Sequence, residues 1–517
     1  LLVLQSGVIS ANGFTLTING PIVGDPNHQW LSGFAAGEVT FRYGPVIPNY
    51  FGAHPDATAT TNAAALALSI ATAEINNVRW LLPIGTYAYN GDGLIMVGHS
   101  TYEGEGFASI LRYEGNAVAI SVNPTAPTNT TPPFEGTLLR HFGLLAVVGT
   151  GTPTGGLLLG SGSASQMAQV DSIKVCGFTQ VNAYGIKVAR MVSCKIRNSI
   201  FQNNYYGAVI GNSTTYFPTS TTFSNSRCVQ NVKHGMVVNS VVGLAINDRS
   251  VFESNFGSGI VITGNAGNNP PLDNISIREN HFEDNGRDGA ISGPYYDIEL
   301  LGYSVSAPMT SINISQNVFA ASAAGYSATS GSIKYQNVWY MDVHNNKFAV
   351  ASPASTDVVN LGFNRFVDWK YNLGLDLSSV IRKDGSNAFY NTTLTGAVNL
   401  SSGGSDIYST HLLTGAYIGN ILANGTTNTV IASLTEDSVQ AGALGGGIVL
   451  VTGWLSGATV HFVDLVSLCY GSVVVISTHN QGAAAARTYS VSGSLNLQVQ
   501  LANTGETYRL RVSQMTH

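Results

Sequence analysis

Asp297 and Glu299 stand two positions apart in the run Tyr295-Tyr296-Asp297-Ile298-Glu299-Leu300-Leu301. In a strand, residues i and i+2 share a face, so the two carboxylates are expected to project together from backbone positions about 6.6–7 Å apart. One carboxyl held protonated and a second held ionised is the pair that glycosidic-bond hydrolysis needs: a general acid, and a base or nucleophile. Tyr295 would share their face, and an aromatic beside two acids suits a sugar ring. The plainer alternative is an outward polar strand face with no chemistry.

A second set of acids is Asp248, Glu253, Glu279, Glu283 and Asp284. They recur at similar phases of consecutive sequence repeats, so stacked repeats would bring them within about 5–10 Å of one another. Asp248 and Glu279 hold comparable places after a strand, and Glu253 and Glu283 each follow a phenylalanine. Their competing role is as solvated corners or as partners of Arg249, Arg278 and Arg287; Arg278 is also a candidate substrate contact. Proton abstraction followed by elimination would use other groups, a base plus a neutraliser of a sugar carboxylate. Asp342 and His344 share a strand face near Lys334, Tyr335 and Tyr340, and His344 is kept as a candidate contact, against a structural role. Tyr205, Tyr206, Tyr216, Phe217, Tyr295 and Tyr303 are the aromatics that could stack on sugars, or pack between subunits. No acidic cluster reads as a calcium site and no Cys/His spacing as a zinc site, so neither metal nor cofactor is expected.

These residues sit in a repeating phrase: an aliphatic strand, an Asn-rich corner, an aromatic, a Gly and a second aliphatic strand. It reads Ile196 to Phe201 followed by Asn203-Asn204 and Gly207 to Ile210, and again Ile277 to Phe282 followed by Asn285 and Gly289 to Ile291. Looser copies run from Ile246 to Phe252, Ile314 to Phe319 and Val343 to Phe348. Copies recur roughly every 25–35 residues, the period of a solenoid. The strands are short and β-branched with no helix between them, and one coil cannot bury its own apolar face, so coils must stack. The fold class expected is all-β: a single-stranded parallel β-helix with Asn stacked at the corners and Ile, Val and Phe inside, its function on the outer faces.

Composition agrees. Of 517 residues, 44% are apolar and only 10% charged, with 58 glycines, against about 25% charged in an average globular chain. The net charge of −6 comes without a basic block, which excludes a nucleic-acid partner. No uninterrupted apolar run reaches about 18 residues, so no membrane span is expected. Cys176, Cys194, Cys228 and Cys469 read as free thiols, mostly inside coils. Residues 1–50 read as a small β entry region, 51–390 as the β-helix, and 395–517, where the Asn corners stop and strands alternate, as a C-terminal β-sandwich for trimerisation or carbohydrate binding. In that last region Trp454, Tyr470 and His479 are candidate sugar contacts, with core packing the simpler role. Thr60-Thr61-Asn62 before an Ala-rich stretch starts a helix over 61–75, whose face Ala64, Leu68, Ala71 and Ile75 would cap the open end of the solenoid. The chain opens on Leu1 rather than Met, and a preceding anchoring or targeting module is expected.

Four elements occur in order: Asn49-Tyr50-Phe51-Gly52-Ala53, the capping helix, Leu82-Pro83-Ile84-Gly85-Thr86-Tyr87, and the turn Gly104-Glu105-Gly106. Together they resemble the start of pectate-lyase-like right-handed β-helices, especially phage tailspike and capsule-depolymerase proteins. The resemblance covers about residues 40–385. That family commonly follows the first element with an Asp-rich turn; here only Asp56 of that pattern stands. The resemblance implies a homotrimer on a virion tail, attached through a preceding N-terminal region. It implies an enzyme that binds a bacterial surface polysaccharide (capsule or O-antigen) outside the cell and cleaves it, within one subunit or between subunits. A polysaccharide lyase and a non-catalytic glycan-binding adhesin are the alternatives.

Overall fold

The computed structural model describes most of residues 2–349, leaving out 4–6, 21, 24, 98–99, 124–135, 148, 150, 161–164, 212–216, 265–271, 287–294, 305–306 and 321–330; beyond 349 it describes Asn372, the strands Val358–Leu361 and Arg382–Asp384, and the strands named below. The chain forms two compact units, 1–334 with 348–356, and 335–347 with 357–517.

In the first unit each coil has three strands and two corners. One coil is Met191–Arg197, Ile200–Gln202 and Tyr206–Ile210; the next is Thr219–Ser224, Arg227–Val229 and Met236–Val238. Then come Val241–Asn247, Val251–Glu253 and Ile260–Thr263, followed by Leu272–Arg278, His281–Glu283 and Tyr296–Leu301. Corresponding strands pair in parallel, so the first, second and third strands of successive coils build three long sheets, the second holding ten strands. Parallel crossovers of this kind wind right-handed, and the fold is a right-handed parallel β-helix.

The corners follow from residues that tolerate left-handed backbone. Asn198, Asn225, Arg249 and Glu279 hold φ of 53–61° or, at Asn225, 43° at the first corner, and Asn203, Gln230, Ser254 and Asp284 hold 52–55° at the second. Immediately after each second corner comes a buried Asn. Asn231 Nδ2 donates to Asn255 Oδ1 at 2.8 Å, and Asn255 Nδ2 to Asn285 Oδ1 at 2.8 Å. The same amides donate back to the carbonyls of Phe201, Cys228 and Phe252. Buried turns that would orphan backbone groups are thereby satisfied. Inside the solenoid, Phe252, Phe282 and Phe319 stack at centroid spacings of 5.2 and 5.1 Å. Cys176, Cys194 and Cys228 are free; the last two are fully buried, and burial pushes the Cys194 thiol up to about 12.

The capping helix runs Ala59–Asn76, and its N-cap is Thr58, whose hydroxyl accepts from Thr61 N–H. Its buried face is Ala65, Leu66, Ser69, Ile70 and Ala73, one position off the expected one; Ala64 and Ile75 are exposed. Asn62 fixes the rotation by bonding both ways to the His54 backbone, and Ser69 accepts from the Trp80 indole at 2.9 Å. Before the helix, Ile9–Ser10 pairs with Leu31–Ser32, and Leu16–Ile18 with Val39–Phe41, in parallel.

The second unit holds the parallel pair Val338–His344 and Arg365–Lys370, then two antiparallel sheets. The larger orders Tyr417–Leu422, Thr507–Gln514, Gly446–Leu455, His461–Cys469 and Ser472–Gln481; the smaller orders Thr429–Ser433, Asn496–Leu501 and Arg487–Ser492. Buried Asp464 of the larger sheet accepts from Arg487 and Tyr489 of the smaller, a link that suits a β-sandwich.

Candidate functional site

The third sheet begins at the second corner, and the chain bends there. Gly207, Gly235 and Gly259 form a column; a Cβ on each would lie 2.8, 2.9 and 3.1 Å from the corner amides of Asn231, Asn255 and Asn285. This column therefore faces the buried ladder. Asp297 takes the next place in it and accepts from Asn285 Nδ2 at 2.8 Å. Ile298 and Leu300 are wholly buried inside the coil. Asp297 thus meets the ladder, while Glu299 stands opposite Val261. Asp297 and Glu299 therefore meet different partners, Asn285 for the first and Ser258 and Lys334 for the second, although one strand carries both.

Glu299 is instead met by residues from the coils on either side of its own. Its carboxylate accepts from the Ser258 hydroxyl, and Lys334 Nζ lies 3.4 Å away. The positions just before the Gly column stack as Tyr184, Tyr206, His234, Ser258 and Tyr296. The His234 ring lies parallel to Tyr206 at 5.9 Å and edge-on to Tyr295 at 6.0 Å; Tyr205 meets Tyr206 at 4.7 Å. Lys233 Nζ stands 5.9 and 6.0 Å from the Tyr205 and Tyr206 centroids, and Lys334 5.4 Å from Tyr296. Tyr205, Tyr206, Lys233, His234, Tyr295 and Lys334 are half-buried. The result is one outer patch of a buried carboxylate, two ammonium groups and stacked rings.

The patch also sets its own protonation. Burial, aided by Lys233, holds His234 down to about 4, and Ser258 N–H donates to Nδ1 at 3.0 Å. With Nδ1 accepting, the ring hydrogen sits on Nε2. The Tyr295 phenol is raised by burial and by the charges of Glu299 and Tyr205. A Cβ at Gly257 would lie 2.7 Å from His234 Nδ1, so glycine is what admits the imidazole.

The other predicted residues lie elsewhere. Asp248, Arg249 and Glu279 are exposed first-corner residues in left-handed backbone. Arg249, not Asp248, faces Glu279 in register, because the Ile246–Val251 turn carries one residue more than Ile277–His281. Glu253 and Glu283 are register partners on the second sheet, bound to Arg227 at 3.2 Å and His281 at 2.9 Å. Asp284 is a second-corner residue, and Arg278 is exposed. His344 belongs to the second unit and lies 3.6 Å from Asp342. Tyr303 is exposed and Phe217 half-buried. His479 is exposed on the edge strand Ser472–Gln481, and Tyr216, Arg287 and Tyr470 lie outside the described residues. Among the described residues no group of three or more His, Cys, Asp or Glu is gathered as a metal site, and no helix is long and apolar enough to cross a membrane.

No family model and no curated protein matches this chain. Several solved structures are similar. The Dettilon tailspike protein is 12% identical, covering 90% of this chain and 92% of its own, with a TM-score of 0.49. A tailspike protein mutant of E. coli bacteriophage HK620, in complex with pentasaccharide, is 13% identical over 90% and 91%, TM-score 0.42. A tailspike of Acinetobacter baumannii bacteriophage Fri1, a capsular polysaccharide depolymerase, is 11% identical over 88% and 82%, TM-score 0.31. These are likenesses of architecture; the β-helix itself is defined by the strand pairing.

Proposed function

We propose that this chain is a tailspike-type depolymerase that binds a bacterial surface polysaccharide, capsule or O-antigen, and cuts it internally at the Glu299 patch. The observation that carries this reading is the gathering of Glu299 with Tyr205, Tyr206, His234 and Tyr295 on one outer corner, an acid amid ring platforms. The resemblance of the first coils to tailspikes points the same way. Glu299 would move the proton at the scissile bond by hydrolysis, and Asp297 would hold the corner. The working assembly is proposed to be a homotrimer on a virion tail, acting outside the host cell.

Two observations favour other chemistries. Lys334, His234 and Tyr295 around a single acid fit elimination from a uronate, with lysine neutralising the sugar carboxylate. Glu253 and Glu283, one strand spacing apart, keep a true carboxylate pair for hydrolysis on the second sheet. Mass spectrometry of polymer digests separates these. Hydrolysis yields saturated oligosaccharides; elimination yields fragments lighter by one water. Glu299→Gln is expected to cut the rate by roughly 100-fold or more with binding retained, while Asp297→Asn keeps most activity. Full activity in Glu299→Gln would move the site to Glu253 and Glu283, and binding without fragments from wild type would leave an adhesin.

A further inference from the structure

The patch carries a charge that the fold does not use. Lys334 is answered by Glu299 at 3.4 Å, Arg227 by Glu253 at 3.2 Å and Arg197 by Asp171 at 2.9 Å. Lys233, between the coils of Tyr205 and Gly257, has no carboxylate partner among the described residues; its ammonium rests over two tyrosine rings. A half-buried ammonium beside aromatic faces keeps part of its hydration cost unpaid by any protein anion. Its neighbour His234 stays neutral, so it adds no second charge and presents an Nε2–H donor. In a chain of net charge −6, a half-buried cation held on a ring platform without a carboxylate beside it among the described residues is placed for an anion that arrives with the ligand.

Resting on the depolymerase reading above, we infer that the polysaccharide is anionic and that Lys233 binds a carboxylate borne by one of its sugars. The rings of that polymer would lie along the corner from Tyr206 past His234 to Tyr295, a path whose two ring-to-ring steps are 5.9 and 6.0 Å. Lys233 would then sit on the Tyr206 side of Glu299, marking a charged sugar to one side of the bond that is cut. A lysine is a point charge with three donors, so a phosphate-bearing sugar would satisfy the same chemistry; the two sources are separated by the test.

The experiment measures affinity of the purified protein, in its Glu299→Gln form, for capsular and O-antigen polymers: neutral, uronate-bearing and phosphate-bearing. Each uronate polymer is compared with its carboxyl-reduced form. Binding only to a uronate polymer, lost at least tenfold on carboxyl reduction and tenfold in Lys233→Met but kept in Lys233→Arg, is expected. Lys233→Met should leave the already weak binding of the reduced polymer unchanged, a readout that general misfolding would not give. Preference for a phosphate polymer, lost in the same way in Lys233→Met, would overturn the carboxylate assignment while keeping the anion. Tight binding of a neutral polymer unaffected by Lys233→Met would overturn the inference and leave the depolymerase standing. Anion-dependent binding with no cleavage by wild type would do the reverse, and binding of no polymer would overturn both.

Discussion

At the residue scale, His234 links the patch to pH. Its imidazole is lowered to about 4 by burial and by Lys233, while in the unfolded chain it titrates near 6.5. The unfolded state therefore takes up this proton first. The contribution of neutral His234 to stability is complete above about pH 6.5 and is lost as pH falls toward 4, roughly 3 kcal/mol over that window. Urea unfolding of wild type should weaken across it, and His234→Gln should flatten that component; an unchanged pH slope in the variant would contradict the burial of the ring. His234 and Lys233 escape a search for acids and aromatics. Aligning coils on the glycine that follows exposes them: Tyr206-Gly207, His234-Gly235 and Ser258-Gly259 occupy one position. Glu299 and Tyr295 are legible from strand alternation, whereas the pairing of Asp297 with Asn285 is not, because it follows from the place Asp297 takes in the glycine column beside the ladder.

At the element scale the corners decide stability more than the strands do. Asn255 accepts from the Asn231 backbone and side chain and donates to Cys228 O and Asn285 Oδ1. Asn255→Ala orphans several of these buried groups at about 1–3 kcal/mol each, so unfolding in denaturant should come earlier by a total of several kcal/mol. Replacing the exposed left-handed Asn203, one residue before its own ladder asparagine, should cost far less; equal losses at both would argue against the ladder. Near the capped end, burial pushes the Glu103 carboxyl up, but hydrogen bonds from Arg140, Arg79 and His141 outweigh it and hold it below its ordinary value. This cluster stabilises above the usual carboxylate range and weakens as pH falls through it. The Asn-corner signal was plain in sequence because it repeats. The buried helix face lies one position from the one the Ala pattern predicts, because Thr58 and Asn62 set the rotation.

At the scale of the whole molecule, the edge strand Ser472–Gln481 exposes Val474, Val475 and Ile476. An open apolar edge is a surface that natural proteins cover, and a second and third copy would do so in the proposed trimer. Sedimentation should return three times the chain mass of 54.3 kDa, and Val475→Lys should shift the population toward single chains. A monomeric wild type, active on polymer, would sink the trimer while sparing the site. The alternating strands of this region announced antiparallel sheets, but nothing in their sequence showed that Asp464, Arg487 and Tyr489 join them.

The corner ladder has a direction. Asn231 and Asn255 each pass one N–H to the amide oxygen of the next coil's asparagine, and Asn285 passes its own to Asp297 within its coil, while all three also donate back to a carbonyl of the coil before. Asp297 ends the row by accepting from Asn285. An asparagine there would accept the same hydrogen bond through its amide oxygen. Asp297→Asn should therefore unfold close to wild type, and a loss as large as that of Asn255→Ala would show that the row needs an acid, not merely an acceptor, where it stops.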